Sequence, residues 1–373
     1  MSNVSQLTQT PTGVPAVTAP TQLPVGWYLD PHILELEKRL LFDQGPGYVG
    51  HEIMLPNVGD YHTLTWMDNA KALVRSENGV ELLSNVCRHR QSLLLNGRGN
   101  ARNIVCPVHR WTYGLDGKLL GAPHFPDNPC LNLAKTPLQN WNGLLFAGKR
   151  DVVHDLAGLG VLKDFDFSGH VLERVQTDEY ACNWKTFIEV YLEDYHVAPC
   201  HPGLDSFVNT GELKWEFGNW YNVQTVGVNR DLARPGTEIY AKWHEQVLRQ
   251  TGGKAPAHGA IWLLYYPNIM LEWYPHALII RTLLPTGTES CTNIVEFYYP
   301  EDIALFEREF IEAEQAAYNE TAVEDDEICK LMTAGRRALH SQGISEIGPY
   351  QSPMEDGLVH FHEFLRQEIG PHL

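Results

Sequence analysis

Apolar residues along this chain change their spacing several times, and each change marks a different kind of element. Ile33, Leu34, Leu36, Leu40 and Leu41 recur at helical intervals and predict a short helix over 31–42. From Tyr48 the spacing shortens to that of strands. Residues 48–55, 61–67 and 70–75 read as β-strands, and turn dipeptides follow at Asn78-Gly79, Asp116-Gly117 and Asn142-Gly143. Asn-Gly and Asp-Gly beside apolar segments are the strongest short-range hairpin signal. Residues 46–152 therefore read as a small antiparallel β domain. Beyond 153 the two kinds of element mix. Residues 183–197 look helical and stop before Pro199, while 261–266, 269–274, 277–284 and 292–299 read as sequential strands. A long helical stretch runs over about 301–341, with Ile303, Phe306 and Phe310 at i, i+3 and i+7. The fold class is α+β: a small all-β domain, then a domain over 153–373 of antiparallel sheet with packed helices. Residues 25–45 form a helical segment expected to pack on the larger domain. Residues 1–24 contain no charged side chain and read as a flexible leader.

Composition narrows the partners. A chain of 373 residues is long enough for two domains with cores of their own. Its 28 basic and 46 acidic residues leave a net charge of -18, which argues against nucleic acid or an anionic membrane as partner. A basic redox partner is the functional reading of that surface. The N-terminus lacks the basic start and continuous apolar core of a signal peptide, and no run of about 18 to 20 apolar residues occurs elsewhere, so the expected location is cytoplasmic. Seven cysteines, an odd number, do not suggest a disulfide framework. Cys130, Cys182, Cys200, Cys291 and Cys329 read as free thiols.

The remaining two cysteines carry chemistry. Cys87-Arg88-His89 and Cys106-Pro107-Val108-His109 supply two thiolates and two imidazoles in mixed pairs. A [2Fe-2S] cluster with two cysteines on one iron and two histidines on the other needs that set, and the neutral imidazoles make it easier to reduce. Structural zinc also takes two of each, but its pairs usually read Cys-x2-4-Cys and His-x3-5-His. With Arg90 after the first pair and Arg110-Trp111 after the second, the string resembles the Rieske domains of Rieske non-haem iron oxygenases. Two positions depart from that family: Gln91 stands where Gly is common, and Pro46 or a neighbour where Trp is frequent.

A second string, Glu193-Asp194-Tyr195-His196-Val197-Ala198-Pro199-Cys200-His201, places two histidines and a choice of carboxylates close together. On a helix Glu193 and His196 share a face at i and i+3, and a turn after Pro199 folds His201 back beside His196. Two histidines and one carboxylate on one face of iron leave three positions open, the facial triad of non-haem Fe(II) oxygenases. His-x4-His alone is weak. Downstream of the cluster motif, it resembles the iron-binding helix of the same oxygenases, in their large (alpha) subunit of the ring-hydroxylating type.

The resemblance spans about 33–370. It implies His196, His201 and a distant Asp as ligands of a mononuclear Fe(II), with Asp325 in Glu324-Asp325-Asp326-Glu327 chosen and Asp326 in reserve. Glu324, Asp326 and Glu327 otherwise read as a solvated helix face. It implies that Glu193 bridges electron transfer between subunits, that Asn183 lies near the iron, and that Asp194 points elsewhere. His360 and His362 fall outside the family motifs and read as surface residues. The implied function is a terminal oxygenase. It takes electrons from NAD(P)H through a flavin-dependent reductase or a ferredoxin and activates O2 to hydroxylate a small organic substrate. A homotrimer is expected. Trp215, Trp220, Tyr221, Trp262, Tyr265, Tyr266, Trp273 and Tyr274 make the second half aromatic-rich, suiting a slot for an aromatic ring or a cage for a quaternary ammonium. Aromatic hydroxylation, by mono- or dioxygenation, is the expectation; oxidative dealkylation of a quaternary ammonium or N-/O-methyl substrate is the alternative. A pure electron carrier leaves the second ligand set unexplained.

Overall fold

The computed structural model describes residues 21–229, 232 and 234–373, so most of the expected leader lies outside the described residues. The larger part of the chain is organised on a seven-stranded antiparallel sheet. Its order is His170–Tyr180, Ser290–Pro300, Ala277–Gly287, Ile269–Tyr274, Ala260–Tyr265, Tyr221–Val228 and Val208–Phe217. The middle strands are covered on both faces, which is why they read as continuous apolar runs. Alternation decides which residue goes where. Ile261, Leu263 and Tyr265 pack with Tyr48, Leu144 and Phe146 of the small β region. Ala260 and Trp262 turn the other way and meet Trp243, Phe310 and Ala317 on helices. On this helix-covered face Gln224, Trp262 and Glu272 lie directly opposite one another on three successive strands.

Three small sheets make up the N-terminal β region. One has five strands, with Asp60–Thr63, Lys71–Ser76 and Gly79–Ser84 at its centre; the other two have three strands each. The turn dipeptides fall where hairpins close. Asn142 and Gly143 have φ of 52° and 84° and separate the paired residues Trp141 and Leu144, as a two-residue type I′ turn requires. The strands expected over 48–55 and 61–67 are shorter, ending at His51 and Thr63 and finishing as 3-10 turns over Glu52–Met54 and Thr65–Met67.

The expected C-terminal helical stretch is interrupted at Glu307, between Glu301–Phe306 and the 34-residue helix Arg308–Ser341. This long helix, with Glu238–Gln250 and Trp184–Tyr191, covers the face carrying Trp262 and Glu272. The helix expected over 183–197 is not continuous. Trp184–Tyr191 stops at Leu192, Glu193 lies outside helix, and a second short helix runs over Val197–Cys200. Pro199 sits inside that second helix, within the first turn, where no N–H is required. Near the N-terminus, Glu37 from the helix Pro31–Glu37 meets Lys185 Nζ at 2.7 Å with both side chains fully buried. Among the described residues no helix is long and apolar enough to cross a membrane.

Candidate metal centres

Two loops of the small β region follow one plan. Cys87 N–H donates to the Ser92 carbonyl at 2.9 Å and Gln91 N–H donates back to the Cys87 carbonyl at 3.0 Å. Cys106 N–H donates to the Trp111 carbonyl at 2.8 Å, and Arg110 N–H to the Cys106 carbonyl at 3.1 Å. The fourth residue after each cysteine, Gln91 or Arg110, has φ of 58° or 60°. That left-handed conformation costs a non-glycine residue about 1 kcal/mol, which gives the departure at Gln91 its physical meaning. The loops bring the four candidate ligands together. Cys87 and Cys106 are buried, and the His89 and His109 rings lie 4.5 Å apart. His89 stacks on Trp111, and its Nδ1 is buried without a hydrogen-bond partner. Burial works against a Cys87 thiolate, but the Tyr113 hydroxyl 3.5 Å from its sulfur and backbone N–H groups outweigh it and lower the pKa. Two buried cysteines, Cys87 biased toward thiolate, with an imidazole nitrogen that has nothing to bond, fit a cluster.

The second centre lies between the interrupted helix and the long helix. One ligand atom each from His196, His201 and Asp325 falls within 4.8 Å of the others. Asp325 Oδ1 is 3.0 Å from His201 Nε2 and 3.5 Å from His196 Nε2. The outer ring nitrogens are already engaged: His196 Nδ1 with Glu193 Oε1 at 2.5 Å and His201 Nδ1 with Glu324 Oε2 at 2.7 Å. With each Nδ1–H donating outward, both Nε2 lone pairs point inward. His201 Nε2 and Asp325 Oδ1 are buried and have no hydrogen bond. Burial opposes a charged His196, yet Asp325 and Glu193 outweigh it and raise its pKa to about 10. Burial also opposes the Asp325 carboxylate, and the two histidines still hold it at about 2. The electrostatics call for a cation between these three groups, and the donor set fits divalent iron.

Other expected residues are placed less simply. Asp326 turns outward and pairs with Lys330. Glu324, read as solvated, instead holds His201. Glu193 lies off the helix and caps the following turn, its Oε2 accepting from the His196 N–H at 3.0 Å. Asp194 does not point away. It is buried in the cavity wall with Gln224 donating to its Oδ1, and its Oδ2 has no partner. Asn183 is not among the residues that line the cavity beside the ligands: its side chain caps the helix Trp184–Tyr191 and donates to the Tyr28 and Thr288 carbonyls. His362 is not a surface residue; it is fully buried, 2.9 Å from Glu189 Oε1. His360 stacks on Phe217 and Tyr266. Of the eight aromatic residues singled out, Trp262 and Tyr274 line the cavity.

That cavity, of about 730 Å³ with its mouth included, opens beside His196, His201 and Asp325. Residues 47–137 of the chain match the Rieske [2Fe-2S] domain, and residues 165–370 match the ring hydroxylating alpha subunit (catalytic domain). A putrescine 2-hydroxylase of Ralstonia nicotianae is 60% identical over 367 residues, covering 98% of this chain and 99% of that protein. A carnitine monooxygenase oxygenase subunit of Escherichia coli is 28% identical, covering 92% and 93%. A solved quaternary ammonium Rieske monooxygenase in complex with L-carnitine shares the fold at a TM-score of 0.72 and 20% identity, over 93% of this chain and 95% of that one. The chain thus belongs to the family of ring hydroxylating alpha subunits and is a Rieske oxygenase, an enzyme that uses a [2Fe-2S] cluster and a mononuclear iron to hydroxylate its substrate.

Proposed function

We propose that this oxygenase is a monooxygenase of an aliphatic diamine, with carbon 2 of putrescine as its target. The observation that carries the reading is the polarity of the cavity. Among the described residues, five carboxylates line it (Glu193, Asp194, Glu272, Glu314 and Asp325) against one arginine, Arg281, and no lysine. Asp194 Oδ2 and the Tyr191 and Tyr318 hydroxyls there are buried without hydrogen-bond partners. Such a wall favours protonated amines and leaves polar groups unpaired against an aromatic hydrocarbon. The 60% identity to a putrescine 2-hydroxylase supports the same substrate, and more distant relatives are named for carnitine and choline. The expectation of aromatic hydroxylation and of dioxygenation is set aside on these grounds.

In this reading Cys87, His89, Cys106 and His109 hold the cluster, and His196, His201 and Asp325 hold the iron. When bound, these groups supply electrons and the activation of dioxygen. Glu193 and Glu324 accept the Nδ1–H of His196 and His201 and so keep both Nε2 atoms turned inward. The Glu193 side chain retains 15% exposure, which lets it also face His109 of the partner subunit in a homotrimer. Val108, beside His109, is 57% exposed, and Leu93 and Phe125 are exposed as well, apolar surface that such a contact covers. Electrons reach the cluster from NAD(P)H through a reductase or ferredoxin. The test is turnover of the holoenzyme with a surrogate reductase across putrescine, betaine-like amines and aromatic acids. Putrescine is expected to gain one oxygen by mass spectrometry. Activity confined to an aromatic acid overturns the reading.

A further inference from the structure

The five carboxylates of the cavity are not equivalent. Asp325 faces the two histidines and Glu193 is bonded to His196. Glu272 is paired with Arg281 at 3.1 Å and also accepts from the Tyr274 hydroxyl at 3.0 Å. Two remain without a cationic partner among the described residues. Asp194 is next to the iron-site residues. Glu314 is on the long helix about three turns before Asp325, roughly 16 Å away between Cα atoms at 1.5 Å per residue. Glu314 is 3% exposed, lines the cavity, and accepts a hydrogen bond from the Tyr299 hydroxyl. One turn along the same face, the buried Tyr318 hydroxyl has no partner. The uncompensated carboxylates therefore mark two ends of one cavity, a match to a molecule with a positive charge at each end.

Resting on the diamine reading, we propose that Glu314, assisted by the Tyr318 hydroxyl, receives the substrate ammonium remote from the iron and makes the enzyme specific for diamines over monoamines. Glu314 and Asp325 project from one face of the same helix about three turns apart, and the cavity runs between them. The geometry agrees with the charge state. Burial, then the nearby carboxylates Glu272 and Glu173, push the pKa of Glu314 up to about 8, against the hydrogen bond from Tyr299. The groups facing it are Glu272 and Tyr299 from the sheet, Glu173 from its edge strand and Tyr240 from the helix Glu238–Gln250. Burial holds both phenols above their usual range, so neither titrates near neutrality. An empty cavity thus keeps Glu314 largely protonated at pH 7, and an arriving ammonium displaces that proton.

The experiment compares wild type and Glu314→Gln, both with intact cluster spectrum and iron content, on putrescine and on 1-aminobutane. Wild type should prefer putrescine on the order of a hundredfold in kcat/KM, because the monoamine forgoes the charge-assisted hydrogen bonds that its second ammonium would make with Glu314 and Tyr318. Glu314→Gln should lose most of that preference, chiefly through KM for putrescine. Calorimetry of putrescine binding in two buffers at pH 7 should show fewer protons released by the variant than by wild type. A variant that keeps the preference overturns the assignment of Glu314 and leaves the diamine function standing. Wild type inert toward putrescine overturns both. If Glu314→Gln does not fold, Tyr318→Phe decides through the same comparison, and an unchanged preference for putrescine counts against the assignment.

Discussion

Asp325 and Asp326 are chemically identical neighbours, yet a rotation of about 100° on the helix sends one to the histidines and the other to Lys330. Asp325→Ala should therefore lose the mononuclear iron while the visible spectrum of the cluster persists, and Asp326→Ala should keep both; metal analysis with optical spectroscopy checks this. Glu324→Ala removes only the support behind His201, so iron affinity should fall about 10- to 100-fold rather than vanish. Glu193→Ala removes the same support from His196 and should weaken iron binding to a similar degree, but with iron restored it should keep a reducible cluster and still lose turnover. Stopped-flow measurement of cluster reoxidation with substrate and oxygen is decisive, since a normal rate would rule out the bridging role. The residues that the fold brings together were legible in the sequence where candidate ligands stand within a short string, as at 87–109 and 193–201. Glu324 was not legible, because its partner His201 is distant in sequence and a helical glutamate beside other acids is ordinarily solvated. Asn183 misled for the opposite reason, since a side chain that caps a helix and one that approaches a metal look alike in a string.

At the scale of elements, turns and central strands were readable from local chemistry, whereas the interruption at Leu192–His196 was not. The apolar spacing continues across it, and only the fold shows Glu193 capping a new turn. The strand His170–Tyr180 escaped notice because it lies at a sheet edge and carries Glu173, Arg174, Asp178 and Glu179 in place of an apolar run. The helix Trp184–Tyr191 is tied to its neighbours through Glu189, buried between Arg336 and His362 and accepting the Tyr28 hydroxyl. Burial favours the neutral acid, but Arg336 and the hydrogen bonds hold its pKa at about 2, below the ordinary 4.5. A depressed carboxylate pKa contributes stability that is complete above the unfolded value and lost as pH falls toward the folded one. The melting temperature should therefore drop more steeply between pH 4.5 and 2 in wild type than in Glu189→Gln. The variant itself should be about 3 kcal/mol less stable, because it strands the Arg336 charge. Parallel slopes in the two proteins would show that other acids govern the decline.

At the scale of the whole molecule, purified protein should contain about three irons per chain, two in the cluster and one mononuclear. Two irons in a folded chain would leave the long helix and its histidine partners without their cation. The α+β architecture was legible because the small β region and the large sheet punctuate the sequence differently. The acidic lining behind the proposed substrate was not, because Glu272, Glu314 and Asp194 come from three separate segments and meet only across the cavity. Asp325 and Glu314 share one uninterrupted helix, Arg308–Ser341, so the separation of the candidate metal ligand and the proposed ammonium receptor cannot stretch with the guest. The helix acts as a ruler, and what it measures is regiochemistry. With Glu314 as the proposed anchor, oxidation would fall at a set number of carbons from the anchored nitrogen, the third in putrescine, whatever overhangs at the other end. A diamine one methylene longer should accordingly be hydroxylated at its central carbon instead of carbon 2, so that chain length is written into the product.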